Sequence, residues 1–235
     1  MAEPKRNERA DSMEIIAHIR TDFPTKFGLP RQSGLVDELR GTIVFAPKYR
    51  DPNALRGIEG FSHLWLIWKF SEAVREGWLP TVRPPRLGGN VAMGVFATRS
   101  PFRPNPIGLS CVRLESVESD SPDGPVLHVA GIDLMDGTPI YDIKPYLTHA
   151  DCHPEAADGF AREVRDYALE VVFPDELLAQ VPAPKRAALI GALRQDPRPG
   201  YRRDDPRLFG VAFAGLDVRF TVEGGVLTVR EIAKG

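Results

Sequence analysis

The chain has 235 residues, of which 43% are hydrophobic and 26% charged, with a formal net charge of -2. That is enough chain to bury a core, as one large domain or as a main domain with a smaller one. The near-neutral balance excludes a protein that coats nucleic acid nonspecifically, the lack of any run near the roughly 18 apolar residues of a bilayer span excludes a membrane helix, and two cysteines exclude a disulfide framework.

Met1 to Ser12 is polar and lacks the apolar stretch of a signal peptide, so a soluble chain in the reducing cytoplasm is expected. Glu14 to Arg20 has strand composition and leads into a loop punctuated by Pro24, Gly28, Pro30 and Gly34. Gly41 to Phe45 reads as a second strand. Asp51 to Gly57 carries an N-cap, a first-turn proline and a closing glycine, which predicts a short helix. Leu64 to Phe70 is too short for a buried helix and too apolar for a strand with one wet face, so a central strand is expected there. Val91 to Ala97, Leu109 to Val117 and Val126 to Ile132 are short, β-branched and separated by turn signals rather than helices. That spacing predicts a mainly β fold, an antiparallel barrel, over βαβ units. Beyond about Asp151 the pattern changes to a helix over Pro174 to Arg194 and strands at Leu208 to Phe213, Leu216 to Val222 and Val226 to Ile232. Residues 1–155 therefore read as the barrel domain and 156–235 as a small α+β domain.

Between Gly77 and Leu114 the chain runs 38 residues without Asp or Glu while carrying Arg83, Arg86, Arg99, Arg103 and Arg113. A cationic zone against the global sign points to an anionic ligand. Within it, Pro101, Pro104 and Pro106 stiffen the loop that presents Arg99 and Arg103. A solvated Pro-rich connector is the competing reading. Gly-rich nucleotide loops are absent, which removes a Rossmann domain. His149-x-Asp151-x-His153 fits no tight zinc spacing, so no metal is expected. His63 reads as a core histidine and Cys111 as an inert strand residue.

Five ordered tracts, Gly60 to Trp65, Arg83 to Asn90, Gly94 to Gly108, Asp133 to Pro139 and Asp142 to Tyr146, together resemble the TsaA-like (TrmO) family. Gln195 to Arg202 resembles the motif that opens the last part of its longer members. The resemblance implies a β-barrel that binds S-adenosylmethionine, a homodimer with the cofactor near the subunit interface, and methylation of N6 of threonylcarbamoyladenosine beside the tRNA anticodon. Matched by motif, it implies cofactor contacts at Pro30, Arg31, Gln32, Arg99, Leu109, Leu134, Met135, Asp136 and Gly137. Ser71 and Glu72 fall at a further contact position where their side chains differ from relatives, so only main-chain contact would survive.

S-adenosylmethionine needs oxygens near its sulfonium, donors for its amino-acid tail and an apolar slot for adenine, roles open to Asp136, to Arg31 or Arg99, and to Met135 or Leu109. Asp133-x-x-Asp136-Gly137 is equally the pattern of a tight turn whose carboxylates cap amides. Asp136, or less readily Asp142, can accept the N6 proton, and Lys144 or Arg103 can stabilise charge on the carbamoyl oxygen. For the RNA, Arg83, Arg86 and Arg103 are candidate phosphate contacts, with Tyr146 or Phe102 as a stacking ring. A different methyl acceptor, or a non-catalytic RNA-binding or cofactor-sensing module, are the alternatives.

Overall fold

A computed structural model describes residues 13–72, 77–84, 87, 91–164, 167–198 and 207–235, without the side chains of 163 and 164. Arg86, the tract around Asn90 and the Pro199 to Arg202 part of the C-terminal motif lie outside the described residues.

In chain order, β1 (Ala17–Thr21) and β2 (Arg40–Phe45) precede three 3-10 turns at Pro47–Tyr49, Pro52–Leu55 and Ile58–Gly60. Then come β3 (His63–Lys69), two short strands β4 (Thr81–Val82) and β5 (Met93–Gly94), a 3-10 turn at Val95–Ala97, and β6 (Ile107–Glu118), β7 (Val126–Ala130) and β8 (Pro139–Pro145). The remainder is α1 (Thr148–Asp151), a 3-10 segment Gly159–Val164, β9 (Glu170–Val172), α2 (Asp175–Leu178), a 3-10 turn Ala183–Lys185, α3 (Arg186–Arg194), β10 (Phe209–Phe213), β11 (Leu216–Glu223) and β12 (Val226–Lys234).

Six strands close a barrel in the order β1-β2-β7-β6-β3-β8, and β8 returns to β1 at Ala17 and His18. Every pairing in it is antiparallel. The expected mainly β barrel is what forms. β3 is central, flanked by β6 and β8, and its Leu64, Leu66 and Trp68 fill the interior. His63, Trp65 and Ile67 alternate to the outer face, only half-buried. His63 is therefore not a core residue; it sits near Ser62 Oγ and Tyr146.

The second sheet runs β10-β11-β12-β9, with β9 parallel to β12 and the rest antiparallel. α3 contributes the buried Ala188, Leu189, Ala192 and Leu193 to its core. Barrel and sheet share one continuous core. The loop between β1 and β2 is clamped against the C-terminal part: Phe23 meets Phe213 with ring centroids 5.0 Å apart, Asp22 binds Lys185, and the Ala214 amide donates to the Asp22 carbonyl at 2.8 Å. Val36, at the far end of that loop, lies against Gly191 so closely that a Cβ there would overlap it.

Several elements differ from the sequence expectation. Val91 to Ala97 is strand only at Met93–Gly94 before it tightens into a 3-10 turn. Pro52 starts a 3-10 turn rather than an α-helix, with the Asp51 side chain accepting from the Asn53 amide as its cap. Pro174 to Arg194 divides into α2 and α3 because Pro182 and Pro184 deny the intervening turn its amide donors. β8 and β9 lie outside the strands that the sequence predicts; β8 begins and ends in proline and β9 is three residues long.

The first residues of the C-terminal motif are structural. Arg198 and Asp196 are 5% and 6% exposed and joined at 2.8 and 3.0 Å, and Tyr167 donates to the same carboxylate at 2.7 Å. Burial alone would raise the Asp196 carboxyl, but the bonds from Arg198 and Tyr167 hold it below its ordinary value. A depressed acid stabilises the fold above its unfolded pKa and loses that contribution as pH falls through the folded one. Asp196→Ala removes the carboxylate that pairs with the buried Arg198 guanidinium and is expected to cost about 3–5 kcal/mol, read as a large drop in the denaturation midpoint.

Candidate functional site

β6 is longer than its partner on one side. β7 pairs only with Arg113 to Glu118, while β3 pairs with Ile107 to Arg113. The bonds Phe70 N–H to Pro106 carbonyl and Leu114 N–H to Ser62 carbonyl set the parity: even-numbered residues of β6 bond to β3, and Ile107, Leu109 and Cys111 turn their main chain the other way. No described strand pairs that edge. The Cys111 amide donates to Ser33 Oγ at 3.0 Å, and Leu109 keeps its amide and carbonyl without a partner among the described residues.

A slot opens because the chain after Ala130 peels away from β6. Gly131, at φ 72°, makes the bend; its amide donates to Leu39 and its carbonyl accepts from Gly34 at 2.8 Å. This binds the peeled segment to the β1–β2 loop. Ser33 thereby reaches the β6 edge, and Gln32 beside it accepts through Oε1 from Arg99 of the basic loop. Loop, strand and arginine come together around Asp133.

Asp133 forms its floor. Its carboxylate accepts from Ser110 Oγ at 2.6 Å, and Ser110 in turn accepts from Trp68 Nε1 at 2.9 Å. Gly108 has no room for a Cβ against that indole, which explains a glycine at this point of β6. The residue is partly exposed while its carboxyl group is sunk into the wall. Burial pushes it up to about 6, against the bonds from Ser110, its own amide and the Ser33 amide and the nearby charge of Arg99. A carboxyl group held at an energetic cost beside an open main-chain edge suits a cationic ligand.

The other expected positions divide. Pro30 is buried, while Arg31 is exposed at the loop's surface and its carbonyl accepts from the Gln32 amide. Leu134 is fully buried and Met135 half-buried, its carbonyl accepting from Thr138 Oγ1 at 2.7 Å. Asp136 is the cap of the turn: Oδ1 accepts from the Thr21 amide at 2.9 Å, its own amide donates to Phe23, and Gly137 follows at φ 74°. Both Asp136 and Gly137 also line a cavity of about 430 Å³ with His18, Arg20 and Arg50. Ser71 and Glu72 are exposed just past β3, and no bond among the described residues ties them to Gln32, Arg99 or Asp133.

Lys144 lies on the outer barrel face opposite Trp65, paired with Asp142 at 2.8 Å, and the Asp142 carboxylate raises its pKa. Tyr146 packs against Trp65 at 5.9 Å. Asp151 Oδ2 accepts from Trp65 Nε1 and from the Leu147 amide, so it clamps the segment that follows the barrel. Arg103 staples its own loop, Nη1 donating to the Thr98 carbonyl at 2.9 Å and to Ser100 at 3.4 Å, and Phe102 is half-buried. Arg113 faces Glu115 at 3.3 Å. Arg83 is exposed and has no ion pair among the described residues. Sequence reasoning missed Ser33, Ser110 and Trp68 altogether and gave Asp133 less weight than Asp136.

The fold is a six-stranded antiparallel barrel with an appended sheet, and comparison with known proteins places it in a class of β-barrel methyltransferases. Residues 18–152 match the tRNA-methyltransferase O N-terminal domain and residues 166–235 the TrmO C-terminal domain. A tRNA (adenine(37)-N6)-methyltransferase of Escherichia coli is 42% identical over 217 residues, covering 89% of this chain and 92% of that protein. A protein of Pseudomonas aeruginosa described as the putative S-adenosylmethionine-dependent methyltransferase RcsF is 40% identical over 217 residues, covering 89% and 91%. The crystal structure of TrmO from Pseudomonas aeruginosa superposes with a TM-score of 0.75 at 34% identity, covering 94% of this chain and 97% of that one. The chain belongs to the tRNA-methyltransferase O family.

Proposed function

We propose that this chain is an S-adenosylmethionine-dependent tRNA methyltransferase acting on N6 of the adenine at position 37, the position named for its Escherichia coli relative. We extend this to the threonylcarbamoyl-modified form of that base and to a cytoplasmic homodimer. The observation that carries the reading is the slot between β6 and the Gly131 to Leu134 segment. It offers a guanidinium and a side-chain amide for a zwitterionic tail, an unpaired main-chain edge at Leu109 for a nucleobase rim, and a sunk carboxylate for positive charge. Those are the demands of this cofactor, so the residues present fit it.

When bound, S-adenosylmethionine supplies an electrophilic methyl group on a sulfonium. The chain's own residues bind and orient. Arg99, held by Gln32, receives the tail carboxylate. Asp133 faces a cationic centre, a role its position favours over Asp136. Asp136 keeps one oxygen without a partner among the described residues and serves as acceptor for the N6 proton. The demand on that acceptor is light, because a carbamoyl substituent acidifies the N6–H. Lys144, neutralised by Asp142, is less suited to stabilise the carbamoyl oxygen than its sequence position suggested.

No helix of the described residues is long and apolar enough to cross a membrane. The test of the proposal is methyl transfer to native tRNA by purified protein with the cofactor, in the presence of a chelator. Transfer to the modified adenine is the expected result; cofactor binding without any transfer to RNA would replace it by a different acceptor or a sensor.

A further inference from the structure

Large apolar side chains on a surface call for an explanation when they cluster. Phe96 is 71% exposed, more than any other large hydrophobic residue described, and Trp78 is 51% exposed. Their rings lie together, with centroids 6.0 Å apart and planes at 34°. Leu79, between Trp78 and Pro80, is 65% exposed.

The arrangement is built, not incidental. β4 and β5 pair at Thr81–Gly94 and Val82–Met93, and the Val95 amide donates to the Pro80 carbonyl at 2.9 Å, which draws the two flanks of the hairpin together. Val95 is 1% exposed and anchors the 3-10 turn Val95–Ala97 in the core. Phe96, the next residue of that turn, points out. The aromatic faces are thus fixed in advance, which lowers the cost of using them.

The surroundings identify the occupant. Both rings belong to the stretch from Gly77 to Leu114 that contains no Asp or Glu. Arg83, one residue past β4, is exposed and has no ion pair among the described residues, and Arg99 follows Phe96 by three positions. Aromatic faces beside an arginine with no ion pair among the described residues, Arg83, are what single-stranded nucleic acid requires: rings for bases and a cation for phosphate. Tyr146, by contrast, is already packed on Trp65 and His63.

We propose that Trp78 and Phe96 form a stacking platform for an unpaired base of the RNA loop, flanked by Arg83 as a phosphate contact. This rests on the tRNA reading given above.

The chain has three tryptophans, so the emission lost in Trp78→Phe isolates the signal of Trp78. Titration of the wild type with an anticodon stem-loop is expected to quench that component. Phe96→Leu keeps apolar bulk without an aromatic face and is expected to weaken stem-loop binding about 5- to 150-fold, whereas Phe96→Tyr restores it. The salt slope of binding should stay the same in Phe96→Leu and fall in Arg83→Ala. Cofactor affinity and molecular mass should be unchanged in all variants. Wild-type stem-loop affinity in Phe96→Leu, with the wild type binding normally, overturns the platform and leaves the tRNA reading standing. Conversion of Phe96→Leu to a smaller assembly overturns it too, because the rings would then be a contact between copies of the chain. Failure of the wild-type protein to bind tRNA at all overturns the tRNA reading, and the platform with it.

Discussion

Asp133→Asn is expected to weaken S-adenosylmethionine binding about 10- to 100-fold at pH 7.5, the loss of one close charge–charge attraction. The asparagine oxygen still accepts from Ser110 Oγ, so the link to Trp68 survives and the change is mainly one of charge. The pH dependence gives a second signature. In the free protein the Asp133 carboxyl is raised from 3.8 to about 6 by burial, with Ser110, Ser33 and Arg99 acting in opposition. A raised acid contributes stability below its unfolded pKa and loses it as pH rises through the folded one, so ionised Asp133 costs stability above about pH 6. The asparagine variant, neutral throughout, should be the more stable apo-protein at pH 7.5, by on the order of 1–2 kcal/mol. A cationic ligand favours the ionised form, so wild-type affinity should climb between pH 5 and pH 7 and then level, and the variant's should stay flat. Calorimetry with S-adenosylmethionine and with S-adenosylhomocysteine reads which cation is faced: a climb for both indicates the ammonium they share, and a climb for the first alone the sulfonium. Equal affinity and equal pH profiles in wild type and variant would confine Asp133 to bracing Ser110 and Trp68.

The second large effect concerns the substrate. An unmodified transcript should be a very poor methyl acceptor compared with native tRNA, slower by about 30-fold to several thousand-fold. The threonylcarbamoyl group makes N6–H acidic through its carbamoyl and adds a carboxylate through its threonine; without it the proton is harder to remove and the carboxylate's contacts are lost, a penalty of roughly 2–5 kcal/mol. Initial rates on both RNAs, at the same cofactor concentration, measure it. Comparable rates would make this a general adenine methyltransferase. Because Lys144 is tied to Asp142 and Arg103 to its own loop carbonyls, Lys144→Ala should change the native rate far less than Arg99→Ala.

Barrel strands with a strong one-dimensional pattern were legible in the sequence. β3 alternates Leu64, Leu66 and Trp68 inward, and its apolar outer residues marked it as central. β8 was not legible because prolines bound it and Asp142 and Lys144 interrupt its apolar pattern. The motif Asp133-x-x-Asp136-Gly137 announced a turn, but spacing alone cannot say which carboxylate caps it. That choice is made by partners distant in the chain: Thr21 takes Asp136, while Ser110 and Ser33 take Asp133. The arginines stood out as a group by charge, yet only contacts separate Arg103, a staple, from Arg83, a free cation among the described residues. Trp78 and Phe96 escaped notice because an aromatic residue in a folded chain is assigned to the core by default, and exposure is a property of the fold. The slot itself depends on β6 outrunning β7, a mismatch of strand lengths that no local pattern encodes.

The central claim is tested most directly by the product. Native tRNA incubated with the purified protein and S-adenosylmethionine carrying a deuterated methyl group should, after digestion and nucleoside mass spectrometry, yield one labelled species: threonylcarbamoyladenosine with the methyl on N6, from the adenine that follows the anticodon. Label on any other nucleoside, or none in RNA from protein shown to bind the cofactor, would contradict it.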